Sequence, residues 1–360
     1  MLESIRFQNF RGFKDLDLSG LSQITLLTGK NSAGKSSVLE GIFLLMGYAL
    51  PDNLEKIRML RGLPAASDIT QLWESLFYKF DTSKAIEISA KCQGKHLDLK
   101  YERDDAFSTL DTNQNVINTF VVFSSSAASY YTLRYNFTAD EAAQNGHLFL
   151  NPAIGPNGAL AMTKENRKMG FETPNTQIFK FLSVGRVDDL ELAGWLGTLN
   201  LRGDHQLIVD ALKIIDPDIV DIHTVVQQRY TQLYLITKDS SIPLKLAGDG
   251  ICKLLYCVLY VLCNQNSIVL IDEIENGFHY SMQESFWNTL AKAAKKSNTQ
   301  IIATTHSYEC IKHAVDGIAN AGMQDNFSLH RIDRIGEESR ATQYSGDLVK
   351  DAVDSLMEVR

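Results

Sequence analysis

The chain has 360 residues, long for one compact domain, so it reads either as one large domain carrying an insertion or as two domains. Hydrophobic residues make up 44% and charged residues 22%, ordinary for a globular protein, and a net charge of −8 excludes a uniformly basic surface while leaving room for a local basic groove. The longest apolar stretches, 38–50 and 251–263, are too short to span a bilayer, and the opening "MLESIRFQNFRGF" lacks a signal-peptide layout, so the expected setting is cytoplasmic, with no membrane partner.

In chain order, "ESIRFQNF" alternates polar and apolar residues as a half-buried strand does. "QITLLTG", from Gln23, predicts a second strand ending in a glycine turn, followed by a helix over Ser36 to Tyr48. Between 85 and 137 lie four β-like runs, "AIEISAK", "HLDLKYE", "INTFVVF" and "YYTLRYNF", separated by polar turns. Residues 138–177, with Pro152, Gly155, Pro156, Gly158 and Pro174, read as loop or mobile surface. A helical pattern runs from about Asp188 to Ile215, and two strands follow, "VDIHTVVQQ" and "TQLYLITK". An apolar helix after Gly250 leads to the strand "SIVLID", a helix over Ser281 to Lys296, the strand "TQIIATTHS", another helix and two closing strand-like runs. Cys92, Cys252, Cys257, Cys263 and Cys310 form no CxxC pair and read as reduced thiols. Strands alternating with helices at both ends predict an α/β core from about 1–80 and 240–360, with β and helical lobes inserted over about 81–239.

Three motifs carry chemistry. "GKNSAGKS", residues 29–36, is a complete phosphate-loop pattern set between a strand and a helix. Its glycines let the backbone N–H groups of Gly29, Lys30, Asn31, Ser32, Ala33 and Gly34 curl around phosphates, with Ser37 beside them and the helix start adding favourable partial charge. Lys35 would hold the outer phosphates and Ser36 would ligate Mg²⁺. "SIVLIDEIENGFH" runs from a strand buried on both faces to an acidic pair at the sheet's carboxyl edge, where ligands of α/β sheets bind. Asp272 would hold the same Mg²⁺, and Glu273 would polarise the attacking water. "QIIATTHS" delivers His306 one helix-and-strand unit later, where it could sense a terminal phosphate; a purely structural histidine is the plainer reading. "KLAGDGICKLL" places Gly248, Asp249 and Gly250 at a helix start, either as an ordinary cap or as a surface meeting a nucleotide held by another copy.

Phosphate loop, glycine helix start, Asp-Glu strand and strand-His, in that order, resemble an ABC-type P-loop ATPase of the RecF, SMC and OLD branch of AAA-type ATPases. The opening "IRFQNFRGF", "DEIENGFH", "ATTHS" and the ending "LMEVR" resemble elements of that branch, over about 1–60 and 240–360. The resemblance implies a single α/β head over 1–360, with a mixed, mostly parallel core sheet, an antiparallel β lobe and an inserted helical or irregular lobe. It also implies ATP and Mg²⁺ as ligands, ATP hydrolysis, and two heads sandwiching two nucleotides. In that arrangement Gly248 to Gly250 of one head face the terminal phosphate held by the other. Ala247 stands where transporter ATPases carry serine, so backbone N–H groups would do more of the work, and Asp249 would need to turn aside to cap the helix. Arg11 resembles the branch's arginine near the nucleotide, and a solvated surface arginine is the alternative. The glutamine that joins Mg²⁺ to the inserted lobe stays unassigned among Gln71, Gln93 and Gln144.

Three uses of ATP compete. A transporter subunit fits poorly with Ala247 and with the long span between Lys35 and Asp272. A nuclease in its own right fits poorly because OLD nucleases resemble this head followed by a Toprim domain, and the stretch after His306 is too short for one. The expectation is an ATP-driven sensor or clamp. It would work as a homodimer or higher oligomer and act on DNA or RNA or on a separately encoded nuclease or toxin-like effector, in bacterial anti-phage defence or, alternatively, RecF-like DNA repair.

Overall fold

The computed structural model describes residues 1–47, 57, 73–103, 131–140, 142–150, 161–165, 179–182, 189–227, 230–355 and 357–359. In chain order, β1 (Leu2–Phe10), β2 (Phe13–Ser19) and β3 (Ile24–Thr28) lead into helix α1 (Lys35–Met46). The strands β4 (Ile86–Cys92), β5 (Lys95–Arg103), β6 (Tyr131–Ala139), β7 (Ala142–Leu150), β8 (Ala161–Glu165) and β9 (Phe179–Leu182) follow. Helices α2 (Asp189–Leu201) and α3 (His205–Ile215) precede β10 (Ile219–Gln227), β11 (Tyr230–Thr237) and β12 (Ser241–Pro243). The chain closes with α4 (Asp249–Cys263), β13 (Ile268–Ile271), α5 (Tyr280–Ser297), β14 (Gln300–Thr304), α6 (Tyr308–Asn320), β15 (Phe327–Ile335), β16 (Glu338–Ser345) and α7 (Gly346–Asp354).

Among the described residues the strands form three sheets. The central sheet has the order β16-β15-β3-β14-β13-β9, and all but β16 run parallel. Parallel pairing brings the carboxyl ends of β3, β14 and β13 to one edge, where Thr28, Thr304 and Ile271 end their strands. These inner strands are covered on both faces, which explains their mainly apolar runs. Along β13 the alternation still sorts the faces. Val269 and Ile271 pack with Leu254, Leu255, Phe286 and Leu290 of the helical layer, whereas Ile268 and Leu270 pack with α1 and the antiparallel sheet.

That second sheet is a meander in the order β2-β1-β4-β5-β6-β7-β8, and α1 lies between it and the central sheet. Gly41 permits the close approach: a Cβ there would sit 2.2 Å from the Phe7 ring. Each large side chain fully buried in these layers contributes about 1.5–3 kcal/mol relative to exposure. The third sheet, β10-β11-β12, packs against α2 and α3.

The structure departs from the sequence reading in several places. Residues 138–177 are not simply loop: β7 pairs with β6 along its whole length, from Tyr131↔Leu150 to Ala139↔Ala142, through a turn at Asp140 with φ 49°. β8 extends the meander by pairing with β7. Cross-strand hydrogen bonding in a meander overrides the weak local signal of "AAQNGHLFL". The strand predicted at "INTFVVF" lies outside the described residues. β2, β9, β12 and α7 had no counterpart in the sequence reading, and the helical stretch before Ile215 breaks at Gly203 into two helices. All five cysteines are free. Among the described residues no helix is long and apolar enough to cross a membrane.

Candidate active site

The loop after β3 winds through positive φ at Gly29 (137°), Ser32 (65°) and Gly34 (104°). Gly34 has a second constraint, because a Cβ on it would lie 2.4 Å from the Phe13 ring. Lys30, Asn31 and Ser32 are exposed, while Ala33 and Ser37 are buried. No side chain caps the start of α1, and no acidic residue stands in its first turn. Such a helix start attracts an anion. Lys35 Nζ donates to the carbonyls of Gly29 (2.7 Å) and Lys30 (3.2 Å), folded back over its own loop. Burial pushes its pKa down, and the carboxylates of Glu275, Asp272 and Glu273 oppose that shift.

Ser36 Oγ donates to Asp272 Oδ1 at 3.0 Å, and Thr304 Oγ1 donates to the same oxygen at 2.5 Å. Glu273 N donates in turn to Thr304 Oγ1 at 2.8 Å. α1, the residues after β13 and the end of β14 therefore meet at one carboxylate. A hydroxyl and a carboxylate are hard oxygen donors of the kind Mg²⁺ selects. Among the described residues no group of three or more His, Cys, Asp or Glu could hold a metal, so the remaining ligands would be phosphate and water oxygens. The residues present fit magnesium bound with a nucleotide.

Beyond Asp272 the chain turns sharply. Glu273 has φ 47°, a conformation that costs a non-glycine residue of order 1 kcal/mol or more, and its Oε2 accepts from Asn276 Nδ2 at 2.5 Å. Lys253, in α4 and only 4% exposed, donates to the carbonyls of Glu273 (3.3 Å) and Asn276. Burial pushes its pKa down. Glu275, also buried, accepts through Oε1 from the His306 backbone N–H (2.9 Å) and lies 3.0 Å from His306 Nδ1. His306 itself is half exposed, just past β14, and Ser307 caps α6 by accepting from Cys310 N at 3.2 Å. Sequence reasoning missed Glu275, Thr304 and Lys253; the repeated acid in "DEIENGFH" was the available signal for the first.

Gly248 precedes α4 with φ 97°, and it and Asp249 are exposed. Asp249 is the first helical residue rather than the cap, and the helix start has no side-chain cap, so the capping role expected for Asp249 is not the one observed. A Cβ on Gly248 would meet nothing within 4 Å, whereas one on Gly250 would lie 3.3 Å from the Gly277 carbonyl. The start of α4 thus rests on the turn that carries Glu273 and Glu275. Arg11, at φ 51° between β1 and β2, pairs through Nε with Glu40 Oε2 at 3.0 Å and donates through Nη1 to Ser75 Oγ at 2.6 Å. Removing one partner of so buried a pair costs about 3–5 kcal/mol.

The family model described as AAA ATPase domain matches residues 1–153 and 161–311. An ATP/GTP phosphatase of Helicobacter pylori is 28% identical over 329 residues, 87% of each chain. An OLD nuclease of Thermus scotoductus is 35% identical over 89 residues, 25% of this chain and 14% of that one. Among solved structures, the Smc head domain of Pyrococcus furiosus, bound to the C-terminal domain of ScpA, aligns with TM-score 0.50 at 9% identity and covers 99% of both chains. The likeness to that head is one of fold, an α/β P-loop architecture with mixed sheets. Phosphate loop, acidic turn and histidine on one sheet edge, together with the match of the family model over most of the chain, lead to one conclusion: the protein belongs to the AAA ATPase domain family, is related to the RecF, SMC and OLD branch of ABC-type ATPases, and hydrolyses ATP.

Proposed function

We propose that residues 1–360 act as a single ATPase head that binds ATP with Mg²⁺ at Gly29 to Ser37, and that two copies close on two nucleotides to signal to a separate partner. The observation that carries the site is the junction of Ser36, Asp272 and Thr304 beneath an uncapped helix start. Lys35 would exchange the carbonyls of Gly29 and Lys30 for phosphate oxygens, which offsets the cost of half-burying an ammonium. Ser36 and Asp272 would hold Mg²⁺, which when bound draws negative charge from the terminal phosphates. Glu273 would take the proton of the attacking water, and His306 would face the phosphate being released. Arg11 would support the loop through Glu40 on α1 more directly than it would touch the nucleotide.

The exposed, uncapped start of α4 supports pairing, since its N–H groups suit a phosphate brought by a second copy. The partner is read as a separately encoded effector in bacterial anti-phage defence, in the cytoplasm; DNA or RNA held by the closed pair, as in RecF-like repair, is the second reading. Light scattering tests the pair: the Glu273→Gln variant should double its mass with ATP and Mg²⁺ but not with ADP. A monomer under both conditions contradicts it. Gel shifts on the same variant test the second reading, because nucleic-acid binding should need ATP and weaken steeply with salt.

A further inference from the structure

The two acids flanking Ile274 have different partners. Glu273 accepts from Asn276, while Glu275 Oε1 accepts from the His306 backbone N–H and lies 3.0 Å from the ring nitrogen Nδ1. A carboxylate whose only purpose was to brace the turn against β14 would be served by the backbone bond alone. The imidazole instead stands with Nδ1 3.0 Å from the same oxygen, a side chain that is 50% exposed set against a carboxylate that is only 8% exposed. Glu275 Oε2 is buried and has no hydrogen-bond partner among the described residues. A buried carboxylate left half satisfied is a poor device for stability alone.

The chemistry of imidazole then fixes the ring. To bond a carboxylate, Nδ1 must carry a proton, and the nitrogen that bonds the carboxylate determines which nitrogen is presented elsewhere. We propose that Glu275 is the positioning residue of the ATPase reaction: by holding His306 Nδ1–H it presents Nε2 to the terminal phosphate, and it acts on turnover through His306. This rests on the reading that His306 faces that phosphate.

Steady-state ATPase measurements on Glu275→Ala, His306→Ala and the double variant form the test, with ¹⁵N spectra of the His306 ring, assigned by its loss in His306→Ala. Glu275→Ala should lower kcat about 10- to 100-fold, the usual cost of losing an orienting partner, with KM changed less than about threefold because the phosphate loop is untouched. In the His306→Ala background the same change should cost nothing further. Glu275→Gln, which keeps an acceptor oxygen and folds without a buried charge, should recover part of kcat and retain the Nδ1–H ring signature that Glu275→Ala loses. Losses that multiply in the double variant, or a ring signature unchanged in Glu275→Ala, would overturn the proposal. A His306→Ala protein with normal turnover would instead remove the reading of His306 on which it rests.

Discussion

Ser36 Oγ and Asp272 Oδ1 lie 3.0 Å apart although 236 positions separate them in the chain. The phosphate loop and the acidic turn therefore share a polar contact. Parallel strands ending on a common edge bring them together. Substitutions on each side of this contact should separate binding from hydrolysis.

Lys35→Ala should weaken ATP binding by about 2–5 kcal/mol, enough to remove a measurable heat in titration calorimetry, while circular dichroism stays unchanged. Because the Lys35 ammonium donates to the loop carbonyls of Gly29 and Lys30, its loss should not unfold the chain. Undiminished binding would place the nucleotide elsewhere.

Glu273→Gln should retain ATP and slow hydrolysis about 10²- to 10⁴-fold, as expected for loss of a general base. The amide preserves an oxygen that can accept from Asn276, so the turn should persist. Phosphate release at the normal rate would mean that another group activates the water.

His330, in β15 beside the phosphate-loop strand, is 1% exposed, and burial pushes its pKa down to about 4 from 6.5, against a smaller opposing effect of a hydrogen bond to the Gly20 backbone. Above pH 6.5 the ring is neutral in both the folded and unfolded chain and contributes no pH dependence. Between pH 6.5 and 4 the unfolded chain takes up a proton that the folded one does not, so stability falls as pH falls, by about 2 kcal/mol at pH 5. Thermal melts at pH 7 and pH 5 should show a smaller drop for His330→Leu than for the parent protein. Equal drops would mean that His330 is protonated in the fold.

Legibility in the sequence followed the reach of the interactions. "QITLLTG", "SIVLID" and "QIIATTHS" declared themselves because strands covered on both faces are mainly apolar. Lys35, Ser36, Asp272 and Glu273 were readable because the phosphate-loop pattern is local and the acids end a buried strand. β7 and β8 were not, since their stability comes from cross-strand pairing that the polar, glycine-containing "AAQNGHLFL" does not advertise. Glu40 and Lys253 looked like interruptions of apolar helices. Their partners, Arg11 for the one and the turn carbonyls of Glu273 and Asn276 for the other, lie too far along the chain for any periodicity to expose. The role of Glu275 depends on His306 in the same way, across 31 positions.

The central claim is that two copies share each ATP site, and mixing two inactive variants tests it most directly. Gly248→Arg should fold, because the position is exposed and nothing lies within 4 Å of its Cβ direction, although φ 97° adds some strain. Its own phosphate loop stays intact, so it should bind ATP yet lose turnover. Lys35→Ala has the complementary defect. Titrating one into the other, with subunit exchange confirmed by light scattering, should restore part of the ATPase activity, since one of the two composite sites then combines an intact loop with an intact helix start. A flat titration with exchange proven would contradict the shared site and leave Gly248 to Gly250 as a structural turn within a single chain.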